Sequence, residues 1–226
     1  MDFIFMLTRG DKTVTNSFEM LEIGLESGVT HIGFKDVGVD KRTLAGLAKR
    51  IKEAGAVSYM EVVSTTSESI LDSIQTAAEI GIDRVLGGQD IEAALDILKG
   101  SGAHYFPFPG RPVGHPTDLG GSAEEIAADC ARIRAAGCPG VDLLAYRATE
   151  ADPLDLIRAA RAGLGDGYLI VAGSIDSPER IQAIADAGTD AFTIGTAVFD
   201  FTFTPGLESI EAQCRDVLAA CGSTAQ

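Results

Sequence analysis

Two charged residues interrupt runs that are otherwise apolar or small. Lys35 follows Ile32-Gly33-Phe34, and Glu61 sits in Tyr59-Met60-Glu61-Val62-Val63. A lysine held against apolar walls can have its pKa lowered, which fits Lys35 to act as a Schiff-base nucleophile or as an acid. A buried carboxylate is costly unless it is paired or used in chemistry, so Glu61 is a candidate base. Facing one another, the two form a workable acid–base couple for enolisation beside a carbonyl. The plainer alternative is structural, an ion pair joining Lys35 to Asp36 or Glu61.

Further candidates lie in polar or small-residue stretches. Arg147 closes Asp142-Leu143-Leu144-Ala145-Tyr146-Arg147, and Arg9 lies in Thr8-Arg9-Gly10-Asp11-Lys12. Either guanidinium can clamp a carboxylate or a second phosphate. Gln89, in Gly87-Gly88-Gln89-Asp90, is a substrate-binding candidate, while Asp90 reads as a helix N-cap. His115 is central to the Pro- and Gly-rich stretch 107–121, which reads as a shaped lid, and can serve as acid or base. Gly173, Ser174, Gly195 and Thr196 are small enough to let backbone N–H groups close on a phosphate. The plainer reading of those four is that they permit tight turns.

These residues need elements to position them. Short apolar runs read as strands over 3–7, 31–37, 57–63, 84–88, 104–108, 141–147, 168–173 and 191–198. Each is followed by a helical pattern, over 17–27, 41–54, 67–80, 90–99, 122–136, 153–162, 178–187 and 207–220. Gly28, Gly55, Gly81, Gly102, Gly137 and Gly188 follow helical runs, where a left-handed cap suits glycine. Similar glycine-led segments start at 28, 81, 137 and 188, spaced 53, 56 and 51 residues apart, so each interval holds two βα units. Four such quarters predict a single-domain (β/α)8 TIM barrel over 1–226. An open doubly wound sheet is the alternative, but its first turn would be glycine-rich, and Leu7-Thr8-Arg9-Gly10-Asp11 has one glycine. In a barrel, chemistry belongs at the C-terminal ends of strands, where Lys35, Glu61, Gln89 and Arg147 fall. His31 and His104 begin strands at the opposite end and are set aside.

The segment from Ile170 to Phe199 resembles the ribulose-phosphate-binding and related phosphate-binding barrels. These include the histidine- and tryptophan-pathway barrels, N-acylmannosamine-6-phosphate epimerase and thiamin-phosphate-synthase-like proteins. The resemblance implies a substrate phosphate at Gly173, Ser174, Gly195 and Thr196, although many such families carry Gly-Gly where this chain has Gly173-Ser174. No lysine stands on strand 6 or 7, as deoxyribose-phosphate-type class I aldolases would require, and the metal ligands of pentulose-phosphate 3-epimerases have no match. The Asp-x-Lys-x-x-Asp of the keto-gulonate-phosphate and orotidylate decarboxylases is absent as well. Lys35 on strand 2 is similar to a lysine of the furan-phosphate synthases, whose other lysines are not matched here.

Composition narrows the partners. Lys and Arg total 18 against 33 Asp and Glu, a formal charge of −15 with no basic run, which argues against nucleic acid and membrane surfaces. Cys130, Cys138, Cys214 and Cys221 show no metal-ligand spacing, so the expectation is reduced thiols in a cytoplasmic protein and no metal site. The functional expectation is an enzyme of a small phosphorylated carbonyl compound, without a cofactor. Lyase or aldolase chemistry through Lys35 and metal-free isomerase or epimerase chemistry through Lys35 and Glu61 both remain open. An FMN barrel and a non-catalytic phosphate-binding barrel are the further alternatives, and a homodimer is allowed.

Overall fold

The computed structural model of the chain describes residues 1–114 and 116–223. Eight strands, β1 (Asp2–Met6), β2 (His31–Lys35), β3 (Val57–Glu61), β4 (Arg84–Leu86), β5 (His104–Phe106), β6 (Gly140–Leu143), β7 (Tyr168–Val171) and β8 (Ala191–Ile194), form one sheet. Every pairing within it is parallel, in the order β6-β7-β8-β1-β2-β3-β4-β5. The two ends meet where Asp142 N donates to Pro107 O at 3.2 Å. The helices between the strands complete a (β/α)8 TIM barrel, as the alternating pattern predicts.

The helices are α1 (Ser17–Glu26), α2 (Lys41–Glu53), α3 (Ser67–Ile80), α4 (Ile91–Leu98), α5 (Ala123–Ala135), α6 (Pro153–Leu164), α7 (Pro178–Asp186), the short α8 (Thr196–Phe199) and α9 (Ile210–Ser223). Their starts are fixed by side chains that accept otherwise orphaned N–H groups. Asp40, Thr66, Asp90, Ser122, Asp152 and Ser177 each cap a helix in this way. Strand alternation then sorts the core. Phe5, Phe34, Met60 and Leu143 face the helices, while Ile4, Met6, Leu86, Phe106 and Ile170 fill the barrel interior.

All eight strands end sooner than their apolar runs suggest, and two of them end earliest. The run 141–147 leaves the sheet after Leu143 and coils into a 3-10 turn, Ala145–Arg147. The run 191–198 breaks at Gly195, where a Cβ would lie 2.6 Å from Thr8 Oγ1, and continues as α8. Both breaks turn the chain across the C-terminal mouth.

The opposite end is closed by a cation set among rings. Arg84 lies 4.6 Å from the Tyr168 ring centre, 5.3 Å from that of Tyr59 and 5.8 Å from that of Phe106. Its Nη1 also donates to Tyr59 Oη at 2.8 Å, and His31 Nδ1 lies 2.7 Å from the same oxygen. His31 and His104 therefore sit away from the mouth, as expected from their place at strand starts. We predict that Arg84→Ala lowers the unfolding free energy by roughly 2–4 kcal/mol, from lost cation–π and charged hydrogen bonding. Urea denaturation should show this loss.

Candidate active site

A cavity of about 350 Å³ opens at the C-terminal mouth, walled by the ends of β1, β2, β3, β7 and β8 and by the turn after β6. Strand pleating points Lys35 and Glu61 inward, and they are direct neighbours in the β2–β3 register. Lys35 Nζ lies 3.4 Å from Glu61 Oε2 and forms a shorter ion pair with Asp11. All three side chains are at most 10% exposed, so this is a buried charge cluster.

Asp11 comes from a hairpin, Thr8–Arg9 with Lys12–Thr13, whose two central residues, Gly10 and Asp11, both have positive φ (56° and 63°). That is the backbone of a tight mirror-image turn, tolerated by Gly and less easily by Asp. The hairpin is tied to β2 by Thr13, whose Oγ1 donates to Lys35 O at 2.8 Å and accepts from Lys35 N at 2.9 Å. At Gly38 a Cβ would fall 2.3 Å from Thr13 O, so only glycine lets the β2 loop pass. Asp11 also receives Arg147, with Nη1 3.2 Å from Oδ2 and Nη2 3.3 Å from Oδ1. One carboxylate thus joins the lysine of β2 to the arginine of the β6 turn.

This pairing reverses one expectation. Burial does push the Lys35 ammonium towards the neutral form, but the carboxylates of Glu61 and Asp11 outweigh it and raise its pKa above the ordinary lysine value. Lys35 is therefore a held cation, not a lysine primed as a free amine. Of the two expected partners Glu61 is in place, whereas Asp36 turns away to accept from Val63 N, Ser64 Oγ and Ser73 Oγ, and Asp11 is the second carboxylate. Burial raises the Asp11 carboxyl, yet Lys35 and then Arg147 bring it below its usual range.

Asp142 is a site residue that does not figure among the sequence-based candidates. It lies on β6 with no exposure, and neither carboxylate oxygen has a hydrogen-bond partner among the described residues. Its outward neighbours Val141 and Leu143 belong to the helix-facing core, so pleating turns Asp142 into the barrel. Lys35 and Arg147 already balance Asp11 and Glu61, so an ionised Asp142 would be a third, uncompensated carboxylate. Burial first, and the negative charge of Glu61 second, push its pKa well up, with Lys35 opposing. A sequence signal exists: Asp142 interrupts Val141-Leu143-Leu144 just as Glu61 interrupts its own strand.

Across the cavity, the four phosphate candidates Gly173, Ser174, Gly195 and Thr196 all line the wall. Gly173 has φ +83°, and a Cβ there would meet the Arg147 side chain at 3.0 Å. Ser174 holds a left-handed conformation (φ +56°) that glycine would adopt without strain. Its carbonyl is gripped by Arg180, which stacks on Tyr146 with 4.7 Å to the ring centre and pairs with Asp176 at 3.0 Å.

The remaining candidates are scattered. Arg147 sits in the 3-10 turn and not on a strand end, yet reaches the cavity. Arg9 is 62% exposed and pairs with Asp200 at 2.7 Å, away from the cavity lining. Gln89 lines a neighbouring cavity, its Nε2 donating to Gly110 O at 2.7 Å. His115 lies outside the described residues, although the loop around it is shaped by the hairpin Arg111–Val113 with Asp118–Gly120.

No family model matches the chain, and no curated protein does. Solved structures share its architecture. One described as native KDPGal aligns with TM-score 0.69 at 15% identity, over 99% of this chain and 94% of the other. Thiamine phosphate pyrophosphorylase from Pyrococcus furiosus aligns with TM-score 0.67 at 14% identity, over 100% and 97%. A mutant tryptophan synthase alpha-subunit from Pyrococcus furiosus gives TM-score 0.69 at 14%, over 98% of each chain. At such identities the likeness carries the fold alone.

The buried carboxyl and the strained serine each have a measurable effect on stability. Below the ordinary aspartate value both folded and unfolded Asp142 are protonated. As pH rises the unfolded form ionises first, so this residue's contribution to stability falls until the raised folded pKa is passed. Asp142→Asn should therefore raise the melting temperature clearly at pH 8 and little at pH 4. The gain is about 1.4 kcal/mol for every tenfold difference in proton affinity between the folded and unfolded carboxyl. Melting curves at both pH values check this. Ser174→Gly relieves a left-handed non-glycine residue and should add up to about 1 kcal/mol in chemical denaturation.

Proposed function

We propose that this chain is an enzyme acting on a small phosphorylated carbonyl compound, by proton transfer at the carbon beside the carbonyl. The observation that carries this is a cavity with a small-residue cradle on one wall and the Lys35–Glu61 pair on the other. Backbone N–H groups at Gly173, Ser174, Gly195 and Thr196 hold the phosphate, which suits an acidic protein with few free cations. The carbonyl oxygen lies against the Lys35 ammonium, which stabilises negative charge as it develops there. Glu61 removes the neighbouring carbon-bound proton, and Arg147 orients a further polar group of the substrate.

An enolate at that position serves either an isomerase or epimerase, which returns the proton to a different face or carbon, or an aldol-type lyase, which forms the enolate by C–C cleavage. The held charge of Lys35 favours ammonium chemistry over an imine at Lys35. Imine formation would require the lysine to leave two carboxylates and lose its proton first.

The test uses a panel of phosphorylated aldehydes and ketones in D2O. Wild-type protein should exchange the carbon-bound proton beside the carbonyl, and Glu61→Gln should slow exchange by about 100-fold or more. Borohydride quenching should leave Lys35 without a mass adduct. An adduct on Lys35 would replace ammonium chemistry with a Schiff base. Binding without exchange or turnover for every compound would make the chain a binding barrel, and flavin absorbance in the purified protein would favour FMN.

A further inference from the structure

Beside the first cavity lies a second, of about 280 Å³, formed by the loops after β3, β4 and β5. The two adjoin at Thr117, which lines both, and the second begins at Val62–Ser64, immediately after Glu61 in the chain. A ligand with its phosphate at Gly173 and Gly195 and its reactive carbon at Glu61 would therefore extend past Glu61 into this space.

The two spaces differ in whether they hold a cation at all. The first holds Lys35 and Arg147, whereas no Lys or Arg is among the described residues lining the second. Arg111, the nearby cation of the loop, is spent on Glu125 and Glu150 at the surface. What the second space offers is neutral polar groups, the hydroxyls of Ser64, Thr65, Ser67 and Thr117 and the amide of Gln89. Both donations of Gln89 Nε2 go to the carbonyls of Phe108 and Gly110, which leaves its oxygen as the polar atom for a ligand. Asp90 adds a carboxylate already engaged as the cap of α4. An anion would meet no lysine or arginine there, while substrate hydroxyl groups would find side chains to pair with.

A separate observation sits under the same wall. Tyr105 is 1% exposed and its hydroxyl has no partner among the described residues. A Cβ on Gly88, which lines the second cavity, would lie 2.9 Å from that hydroxyl, so the unpartnered donor is next to the cavity floor. Gly88 is held at φ +74° and carries no side chain that could cover it. A buried donor without a partner is costly in a purely structural role.

We propose that the second cavity is the subsite for the far end of the substrate, an uncharged polyhydroxylated segment and not a second phosphate or a carboxylate. This rests on the phosphate reading of the first cavity and adds a substrate class to it: a monophosphate of a chain longer than three carbons.

Unreactive polyol phosphates test the idea by calorimetric binding to the full chain. Hexitol 6-phosphate should bind roughly tenfold or more tightly than glycerol 3-phosphate, because its extra atoms fill the second cavity. Hexitol 1,6-bisphosphate should bind no better than the monophosphate despite its added charge. Thr65→Trp, at an exposed position on the rim, should remove the hexitol advantage and leave glycerol 3-phosphate affinity unchanged. Gln89→Arg should reverse the preference towards the bisphosphate. Equal affinity for the three- and six-carbon monophosphates, or tighter wild-type binding of the bisphosphate, overturns the subsite while leaving the phosphate cradle standing. No binding of any of the three, nor of inorganic phosphate, overturns the cradle and the subsite with it.

Discussion

Lys35 carries its charge in a place that water barely reaches, and the carboxylates of Asp11 and Glu61 make that tolerable. Burial alone would strip the proton from the lysine, since desolvation is the largest single influence on it. The two carboxylates reverse the outcome, and Arg147 closes the balance by sharing Asp11. Removing any one partner would leave an unpaired buried charge, which is far more costly than the pair is stabilising. The backbone is bent to keep this cluster intact: Asp11 accepts a left-handed conformation, and Gly38 gives room for the hairpin that carries it.

The barrel separates this cluster from the other polar assembly in its interior. Ile4, Met6, Leu86, Phe106 and Ile170 form an apolar plug between the mouth and the Arg84 stack at the closed end. The stack sets a guanidinium among aromatic rings and against the Tyr59 hydroxyl, a stabilising arrangement. The mouth has charges, strained turns and open volume. Asp142 marks the boundary, a carboxyl whose pKa is pushed up by burial and by the charge of Glu61. Stability is thus concentrated at the strand starts, and the energetic concessions at the strand ends, as expected where a site is maintained against folding preference.

The barrel is legible in the sequence because its pattern is local: strand and helix periods repeat, and glycines punctuate the helix ends. Lys35 and Glu61 are legible as charges within apolar strands, and strand order makes them neighbours. Asp142 obeys the same rule, but the arginine that follows it draws the eye first as a cation in an acidic chain. Asp11 is harder to see, because its importance comes from contacts more than twenty and more than one hundred residues away. A local signal does exist, since Gly10-Asp11 suits a mirror-image hairpin turn. The direction in which the Lys35 pKa moves cannot be read from sequence, because it depends on which of two opposed influences is larger, and that is set by distance. Gln89 does follow a strand end, but pleating and loop course deliver it to the adjoining cavity.

The proton-transfer chemistry proposed for the mouth depends on the protonation state of Lys35. Its Nζ charge can be followed through the 13Cε resonance of labelled lysine, assigned by comparison with Lys35→Arg, while the pH is raised. The ammonium signal should persist beyond the ordinary lysine value of 10.5. A midpoint displaced towards neutrality would contradict this, and would make Lys35 the free amine that its carboxylate partners are held here to prevent.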